Sequence, residues 1–538
     1  MTRTGLDVDV VIVGYGPVGQ ALGALLGRAG HRVAVFERFR GIYRLPRAVH
    51  IDHEIMRLLQ ALGLAEVLDG EMVPVDDYRW FGADGELLLR FEPRSPAPSG
   101  WEGDYMFFQP ELERAMDGHA CVPAGVAVER GWVAEGLEQS DERVELTLRR
   151  VTEEEPGGLA LTGETRTVTA RWVVGADGAN SFVREASGIT RRDLGFQERW
   201  LVVDAEPHEM AALAHLPIAG QHCDPARPTT VVQSGPRHRR WEFMLLPDER
   251  ASDFEDPERV WALLEPWYRP QDGPLTRSAV YEFRSMLSNQ MRKGRVLLVG
   301  DAAHLTPPFL GQGLCSGLRD AANLAWKLDL VLRGLASACL LDSIDCERQP
   351  QNEAIIRLAI ELGKVLCQLD PQAAAERDAM LRQVPGAPPL DLPPLRDGVL
   401  HRPDSGSDPL AGALSVQGVV RRAGREGRFD DVVGRGFQLI VATGDPFALL
   451  SSEQRGLIDA LDMSIASLDP TVPGGARDVD GRLTAWLTEH EAHAVLVRPD
   501  FYAFGSCRSA GELPELLDDL RSQLQLTYTP AIAGASHD

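Results

Sequence analysis

Apolar residues along this chain fall into short dense runs and into longer stripes of helical spacing, and the alternation of the two predicts a mixed α/β protein. Val8 to Val13 is a run interrupted only by Asp9 and reads as a strand. The spacing that follows predicts a glycine turn over Gly14 to Gly19, a helix from Pro17 to Ala29 and a second strand from Arg32 to Glu37. Pro17 gives up only an amide that has no helical partner, and Gly30 can take the left-handed conformation that ends a helix. Two further dense runs end in acidic turns: Trp172 to Gly175 leads into Asp177-Gly178, and Arg295 to Val299 leads into Gly300-Asp301. After Gly313, the stripe Leu314, Leu318, Ala321, Ala325, Leu328, Leu332 predicts one long packed helix.

Between these elements, residues 71 to 150 mix alternating runs such as Tyr78 to Phe81 and Val144 to Leu148 with the turn-rich piece Glu92 to Gly103, as expected of antiparallel strands and loops. Pro385 to Pro409 has the Pro/Gly/Ser composition of a connector. Beyond it, Phe437 to Val441 and Ala494 to Val497 read as buried strands, and Ser452 to Leu461 and Glu512 to Leu524 as helices. The tail is therefore expected to form a separate small α/β domain.

A length of 538 residues is too great for one ordinary core, so two or three domains are expected. The 55 basic and 79 acidic residues leave a net charge of −24, which repels nucleic-acid phosphates and anionic lipid surfaces. No nucleic-acid partner is expected. No apolar run is long enough for a signal-peptide core or a membrane span, so no membrane association and a cytoplasmic location are expected. The 7 cysteines, at 121, 223, 315, 339, 346, 367 and 507, contain no CxxC pair, and no metal site is predicted.

The chemistry begins at Gly14-Tyr15-Gly16-Pro17-Val18-Gly19, a GxGxxG that follows a strand and opens a helix, with Glu37 18 residues beyond its last glycine. Gly14 permits the tight turn, Gly16 lets a pyrophosphate approach the backbone, and Gly19 lets helix and sheet pack closely. Glu37 can accept hydrogen bonds from ribose hydroxyls. These residues alone leave NAD and FAD both open. Further on, Gly300-Asp301-Ala302-Ala303-His304 leads through Pro307-Pro308 to Gly311-Gln312-Gly313 and the long helix. An aspartate at a strand end can accept from a polyol chain, and small residues let backbone amides reach a flat ring. A flavin needs both. His304 by itself reads as structural.

Taken together, GYGPVG with Glu37, the mid-chain stretch Asp177-Gly178-Ala179-Asn180-Ser181-Phe182-Val183-Arg184, and GDAAHLTPPFLGQGLCSGLRDAANLAWKL from Gly300 resemble the class A flavoprotein aromatic hydroxylases, the p-hydroxybenzoate hydroxylase fold group. The resemblance covers about residues 8 to 365. PRAVHIDHE from Pro46, CDPARP from Cys223, RRWEFMLLP from Arg239 and RPDFYAFG from Arg498 are most similar to the 3-(3-hydroxyphenyl)propionate hydroxylase branch.

The resemblance implies a Rossmann-like FAD-binding domain (1–75, 104–184, 290–365) interleaved with a mixed-sheet substrate domain (76–103, 185–289). A linker (366–399) and a C-terminal thioredoxin-like domain (400–538) follow. It assigns Arg38 to the adenosine side, Arg47 and Gln109 to the flavin, Asp301 to the ribityl chain, and the backbone of Gly311, Gln312, Gly313 and Leu314 to the loop over the flavin ring. Asp177 and Arg184 belong to the motif associated with both FAD and the passing nicotinamide. The chemistry implied is single-component: NADH or NADPH reduces bound FAD, the reduced flavin captures O2, and one oxygen atom is delivered to an electron-rich ring. With no second strand-associated GxGxxG, the nicotinamide is expected to dock transiently.

The substrate pocket is expected between the FAD domain and the sheet from about 185 to 290. Its candidate walls are His50, His222, Met244, Tyr281, Pro308 and Phe309; Pro308 matches a proline whose carbonyl lies near substrate in related hydroxylases. A carboxylated substrate would need a cation, and Arg284 or the Arg237 to Arg240 cluster could supply it. The leading expectation is ortho-hydroxylation of a phenol such as a 3-(3-hydroxyphenyl)propionate-like acid. Pro308-Phe309-Leu310 departs from that branch and keeps open a polyketide-tailoring hydroxylase or Baeyer–Villiger enzyme. A flavin halogenase is disfavoured because WxWxIP is missing. From a different class, a flavin-binding interaction protein is the remaining alternative. The tail has only Cys507, which speaks against disulfide exchange and for a structural or homo-oligomer-supporting role.

Overall fold

The computed structural model describes residues 6–43, 46–120, 123, 125–154, 158–384, 386, 391–403 and 406–526. Cys121, most of the PGAPP piece of the expected connector and residues 527–538 of the expected C-terminal domain lie outside them. The chain divides into two compact units, one of 1–97, 101–321 and 352–393, the other of 98–100, 322–351 and 394–538. No helix of the described residues is long and apolar enough to cross a membrane.

The first unit is built on two large sheets. One has the central order Arg292–Lys293, Val296–Leu298, Gly158–Gly175, Val8–Val13, Val33–Glu37, Val126–Arg130. Five of these strands run parallel in register, with Val10 beside both Trp172 and Val33 and Val174 beside Leu297. Val10, Val11 and Ile12 are fully buried, the pattern of a parallel strand covered on both faces, which is why the sequence shows an apolar run there instead of alternation. The interrupting Asp9 sits at the strand's start, paired with Arg32 at 3.0 Å. The first helix runs Pro17–Arg28, and Gly30 takes φ +88 just past it.

The second sheet is mixed, in the order His304–Leu305, Leu275–Ser288, Arg191–Ala205, His238–Met244, Thr229–Ser234, Ala219–His222, Tyr78–Phe81, Leu87–Phe91. Its pairs are antiparallel except Ala219–His222 with Tyr78–Phe81. Strand alternation divides it into two faces. Leu201, Val203, Val231, Trp241 and Phe243 form one, packed with Val260 and Leu264 of the helix Pro257–Leu264. Asp204, Arg240, Glu242, Arg277 and Tyr281 lie on the other. That second face holds the chain at Pro46 and Arg47, because Arg240 donates to their carbonyls at 2.7 and 2.9 Å.

The long helix after the GQG loop runs Gly313–Leu332, and a second, Ser343–Leu366, follows it; both begin in one unit and end in the other. A further helix, Pro371–Leu381, lies within the segment expected as linker.

In the second unit a four-stranded sheet has the order Ser464–Ser467, Gln438–Val441, Ala494–Val497, Ala503–Cys507. The first two strands are parallel and the rest antiparallel, with helices Ser452–Ala460, Arg482–Glu489 and Leu513–Gln523 between and after them. The RPDFYAFG stretch places Arg498 and Asp500 in a buried charge cluster. Arg498 binds Glu347 at 2.7 Å and Asp500 at 2.6 Å, and Lys327 binds Glu347 at 2.7 Å. Two cations against two carboxylates let all four be buried, and the two cations hold the Glu347 carboxyl at about 2 against the opposing effect of burial.

Candidate active site

The three motifs that are far apart in sequence meet at the end of the parallel sheet. Gly14 has φ +101 at the end of the first strand, and a Cβ there would lie 2.3 Å from the Ala176 carbonyl, next to Asp177. At Gly19 a Cβ would lie 2.1 Å from the Gly14 carbonyl, so the helix crosses the turn at a distance only glycine permits. Gly300, in the third motif, lies under Val18, whose Cγ2 would be 3.2 Å from an added Cβ. Arg184 is buried and donates to the carbonyls of Ala179 at 3.2 Å and Ala302 at 3.1 Å, tying the second motif to the third.

Gly16 differs from its neighbours. Its φ of −73 and ψ of −178 suit any residue, and an added Cβ would meet nothing within 4 Å. Nothing among the described residues therefore demands glycine here, whereas a phosphate laid against the backbone at a helix N-terminus would. Pro17 is the first residue of that helix, which has no side-chain cap. Glu37 accepts the Tyr15 amide at 2.8 Å and the Phe39 amide at 3.0 Å, so the predicted ribose acceptor is held in place by the backbone on both sides. Arg38 is exposed, its guanidinium 5.0 Å from the Phe39 ring.

Asp301 is exposed on the short turn Gly300–Ala302. Beneath it Asp320 accepts the Gly300 amide at 3.0 Å and lies 2.6 Å from His304 Nε2, so His304 serves the turn from inside the protein. Asp177 also turns inward: it accepts the Ser181 hydroxyl at 2.5 Å and the Val183 amide at 3.0 Å, and burial raises its carboxyl above the usual range despite them.

The segment carrying Arg47 is held from below. Gln109, buried at the start of the helix Gln109–Ala115, accepts the backbone amides of Arg47 at 3.0 Å and Ala48 at 2.7 Å, leaving the Arg47 side chain exposed beside Tyr43. Gln109 in turn donates to Glu113 at 2.7 Å, whose carboxyl burial pushes up to about 7.

His50 joins this segment to the GQG loop. Its Nδ1 lies 3.2 Å from the Gly311 carbonyl and its Nε2 lies 2.8 Å from Asp104. Burial opposes a charge on His50, but Asp104 overrides it and holds the imidazole protonated well above the usual histidine range. The loop itself is a short turn, Pro308–Leu310, closed by Gly311 at φ +64, whose amide donates to the Pro308 carbonyl at 2.8 Å. Gln312 is buried and Gly313 begins the helix, with Leu314 half-buried behind it.

Arg319, one face further along that helix, is a residue that sequence reasoning missed. It donates to Gln312 at 3.0 Å and Glu54 at 2.6 Å and also binds Asp52, so one buried guanidinium links the GQG loop to the HIDHE segment. The signal was there in a charged residue next to the helix's apolar stripe, but its carboxylate partners lie more than 260 positions away.

The expected pocket walls do not all come together. Tyr281 lies on the Arg240 face, with the Arg277 guanidinium 4.4 Å from its ring, and Met244 shares that face at the strand's end. His222 falls on the opposite face, stacked on Phe81 at 5.0 Å and against Trp267 at 5.6 Å. Phe309 packs among Phe196, Trp200 and Phe283 with ring centroids at 5.6, 5.8 and 6.4 Å. Among the expected cations, Arg237 pairs with Glu71 and Arg284 with Glu282, both at the surface, while Arg240 is buried against Asp204 at 2.7 Å.

A family described as FAD binding domain matches residues 7–359. This chain is a class A flavin hydroxylase. A second family, described as HcaD C-terminal domain, matches residues 412–523. The hydroxylase is 39% identical over 527 residues to a probable NADH-specific resorcinol 4-hydroxylase of Rhodococcus jostii (strain RHA1), covering 95% of this chain and 94% of the relative. It is 34% identical over 529 residues to a 3-(3-hydroxy-phenyl)propionate/3-hydroxycinnamic acid hydroxylase of Burkholderia cenocepacia (strain HI2424), covering 94% of each. Among solved structures, its fold resembles aklavinone-11 hydroxylase in a ternary complex with FAD and aklavinone, at a TM-score of 0.77, 24% identity and coverage of 96% and 99%. The hydroxylase is thus an FAD-dependent monooxygenase with a nicotinamide co-substrate, and the open backbone at Gly16 and the outward Asp301 and Arg47 fit that cofactor.

Proposed function

We propose that this hydroxylase uses NADH and O2 to ortho-hydroxylate a neutral dihydroxybenzene of the resorcinol type. The observation that carries the choice is the state of the cations on the sheet face that meets Pro46 and Arg47. Arg240 is bound to Asp204 and to two backbone carbonyls, and Arg277 to Asp204 and the Pro46 carbonyl. Neither is offered to a ligand, so a substrate carboxylate would be buried there without a counter-charge, at a cost of several kcal/mol. A neutral phenol incurs no such cost. The 39% identical relative named for resorcinol supports the same reading.

Gly16 and the helix Pro17–Arg28 would take the pyrophosphate, Glu37 and Arg38 the adenosine end, Asp301 the ribityl hydroxyls, and the backbone from Gly311 to Leu314 the ring. FAD, when bound, supplies the electron relay and the activation of O2. The protein's own part is to position and to exclude water. The Gln109 carbonyl sets the height of the Arg47 backbone, Arg319 locks the GQG loop to the HIDHE segment, and the aromatic cluster of Phe196, Trp200, Phe283 and Phe309 keeps the substrate side apolar. Protonated His50 adds a positive charge against the Gly311 carbonyl, beneath the loop assigned to the flavin.

The second reading is a 3-(3-hydroxyphenyl)propionate-like acid, favoured by the 34% identical relatives. Product analysis separates them: with NADH and O2, resorcinol should accelerate NADH oxidation and yield a trihydroxybenzene by mass spectrometry, while the phenylpropionate acid should yield little. Efficient turnover of the acid would reverse the choice, and no oxygenated product from either would remove both. For the C-terminal unit we infer a thioredoxin-like fold from its strand order and its βαβ and ββα connections. Its Cys507 thiol is pushed up to about 12, chiefly by burial, which suits a structural domain without thiol exchange.

A further inference from the structure

On the sheet face turned away from Pro46 and Arg47, one strand position carries a cation that no carboxylate among the described residues neutralises. Arg239 is 2% exposed and faces opposite to Arg240, with Ala205 and Gln233 as its cross-strand neighbours. Its Nη2 donates to the Pro217 carbonyl at 3.0 Å, but its buried Nε has no hydrogen-bond partner among the described residues. Burial pushes the guanidinium down to about 10, and no carboxylate among the described residues offsets it. Every other buried arginine described above has an anion or several carbonyls; Arg239 has one carbonyl.

Arg239 lines a cavity of about 340 Å³ whose other walls are mostly apolar residues, Met210, Leu213, Leu216 and Ile218, with Gln233 beside the arginine. The outer wall is the single-turn helix Met210–Leu213 and the residues after it, with Ala214 at the exposed rim. A volume of this size lies near the lower end of the range for small-ligand pockets, roughly 300–1,000 Å³. A buried cation in the wall of a largely apolar cavity, with no described carboxylate beside it, is costly in the absence of an anion and is a recognition element for one.

We propose that this cavity is a second ligand site, separate from the flavin-facing side of the sheet, which binds a small monocarboxylate with an apolar body. The charge selects a single negative group, since a dianion would leave one charge uncompensated among the aliphatic walls. The walls select a hydrocarbon tail over a polyol. Position follows from strand alternation: Arg239 and Arg240 are adjacent, and while Arg240 grips the segment carrying the predicted flavin contact Arg47, Arg239 presents the same type of group to the opposite side.

The test compares hexanoate with hexanamide, which share a tail and differ in charge, by isothermal titration calorimetry on the FAD-loaded protein with saturating resorcinol present. Wild type should bind hexanoate at least about tenfold more tightly than hexanamide. Arg239→Gln should abolish that preference and Arg239→Lys should keep part of it. Ala214→Trp, which fills the rim and leaves the charge in place, should weaken hexanoate at least about tenfold and covers the case in which Arg239→Gln does not fold. Equal affinity for acid and amide, a preference that survives Arg239→Gln, or hexanoate binding unaltered by Ala214→Trp would each overturn the site. So would displacement of hexanoate by resorcinol, which would put the acid on the substrate side.

Discussion

Gln109 carries the backbone of Arg47: a single side-chain oxygen accepts the amides of Arg47 at 3.0 Å and Ala48 at 2.7 Å. The glutamine lies 62 positions after the arginine it supports, and its amide nitrogen is engaged by Glu113. The side chain expected to touch the flavin therefore depends on a neighbour expected to do the same, which acts through the backbone. Gln109→Leu removes the acceptor at similar volume and leaves two amides without it. The expected loss is about 2–3 kcal/mol of stability, read by urea denaturation, together with weaker FAD binding, read by flavin fluorescence. Unchanged FAD affinity in a folded Gln109→Leu protein would count against the positioning role.

Gly16 and Gly19 separate cofactor need from folding need. Gly16→Val has an allowed backbone and open space, so the apoprotein should keep its melting temperature while FAD affinity falls by at least about tenfold. Gly19→Ala drives a Cβ against the Gly14 carbonyl and should destabilise the apoprotein itself by about 1–3 kcal/mol. Thermal unfolding with and without FAD distinguishes the two, and a Gly16→Val apoprotein that melts early would contradict the assignment.

Arg319→Met leaves Asp52 and Glu54 buried without their cation. The expected cost is about 3–5 kcal/mol, the range for breaking a buried ion pair from one side. The variant should also be more acid-sensitive at higher pH than wild type. Burial works against the Asp52 charge, but Arg319 with nearby His53 and His50 holds its carboxyl below the usual range. Asp52 thus contributes stability above its ordinary value near 3.8 that is lost only as pH falls through the lower folded value. Without Arg319 that loss moves up in pH, which urea midpoints measured across acid pH will show.

Glu113 should produce the opposite slope. Its folded value near 7 lies above its ordinary 4.5, so the stability its protonated form contributes is complete below about 4.5 and disappears as pH rises through about 7. A shift of that size corresponds to roughly 3 kcal/mol. Glu113→Gln keeps a carbonyl acceptor for Gln109 and removes the titration, so its stability curve should be flatter between those limits. An equal slope in variant and wild type would place the pH dependence elsewhere.

Much of this protein was legible from its residues because the signals are local. The apolar run Val8 to Val13, the turn at Gly14, the proline that opens the helix and the glycine that follows it each report a conformation decided within a few residues. The same holds for the aspartates at two strand ends and the stripe from Leu314. The outward position of Asp301 follows from a turn of that kind.

The tertiary structure alone decided which face of the second sheet looks toward which surface. Alternation says that Arg239 and Arg240 point opposite ways, yet only the assembled sheet turns Arg240 to Pro46 and Asp204 and leaves Arg239 at an apolar cavity. It likewise sends His222 to the side of Trp267, away from Tyr281 and Met244. Arg319 meets Asp52, and His50 meets Gly311, across more than 250 residues. Electrostatic partners at such separations are chosen by how strands and helices stack, because charge acts through space and a sequence records only order along the chain.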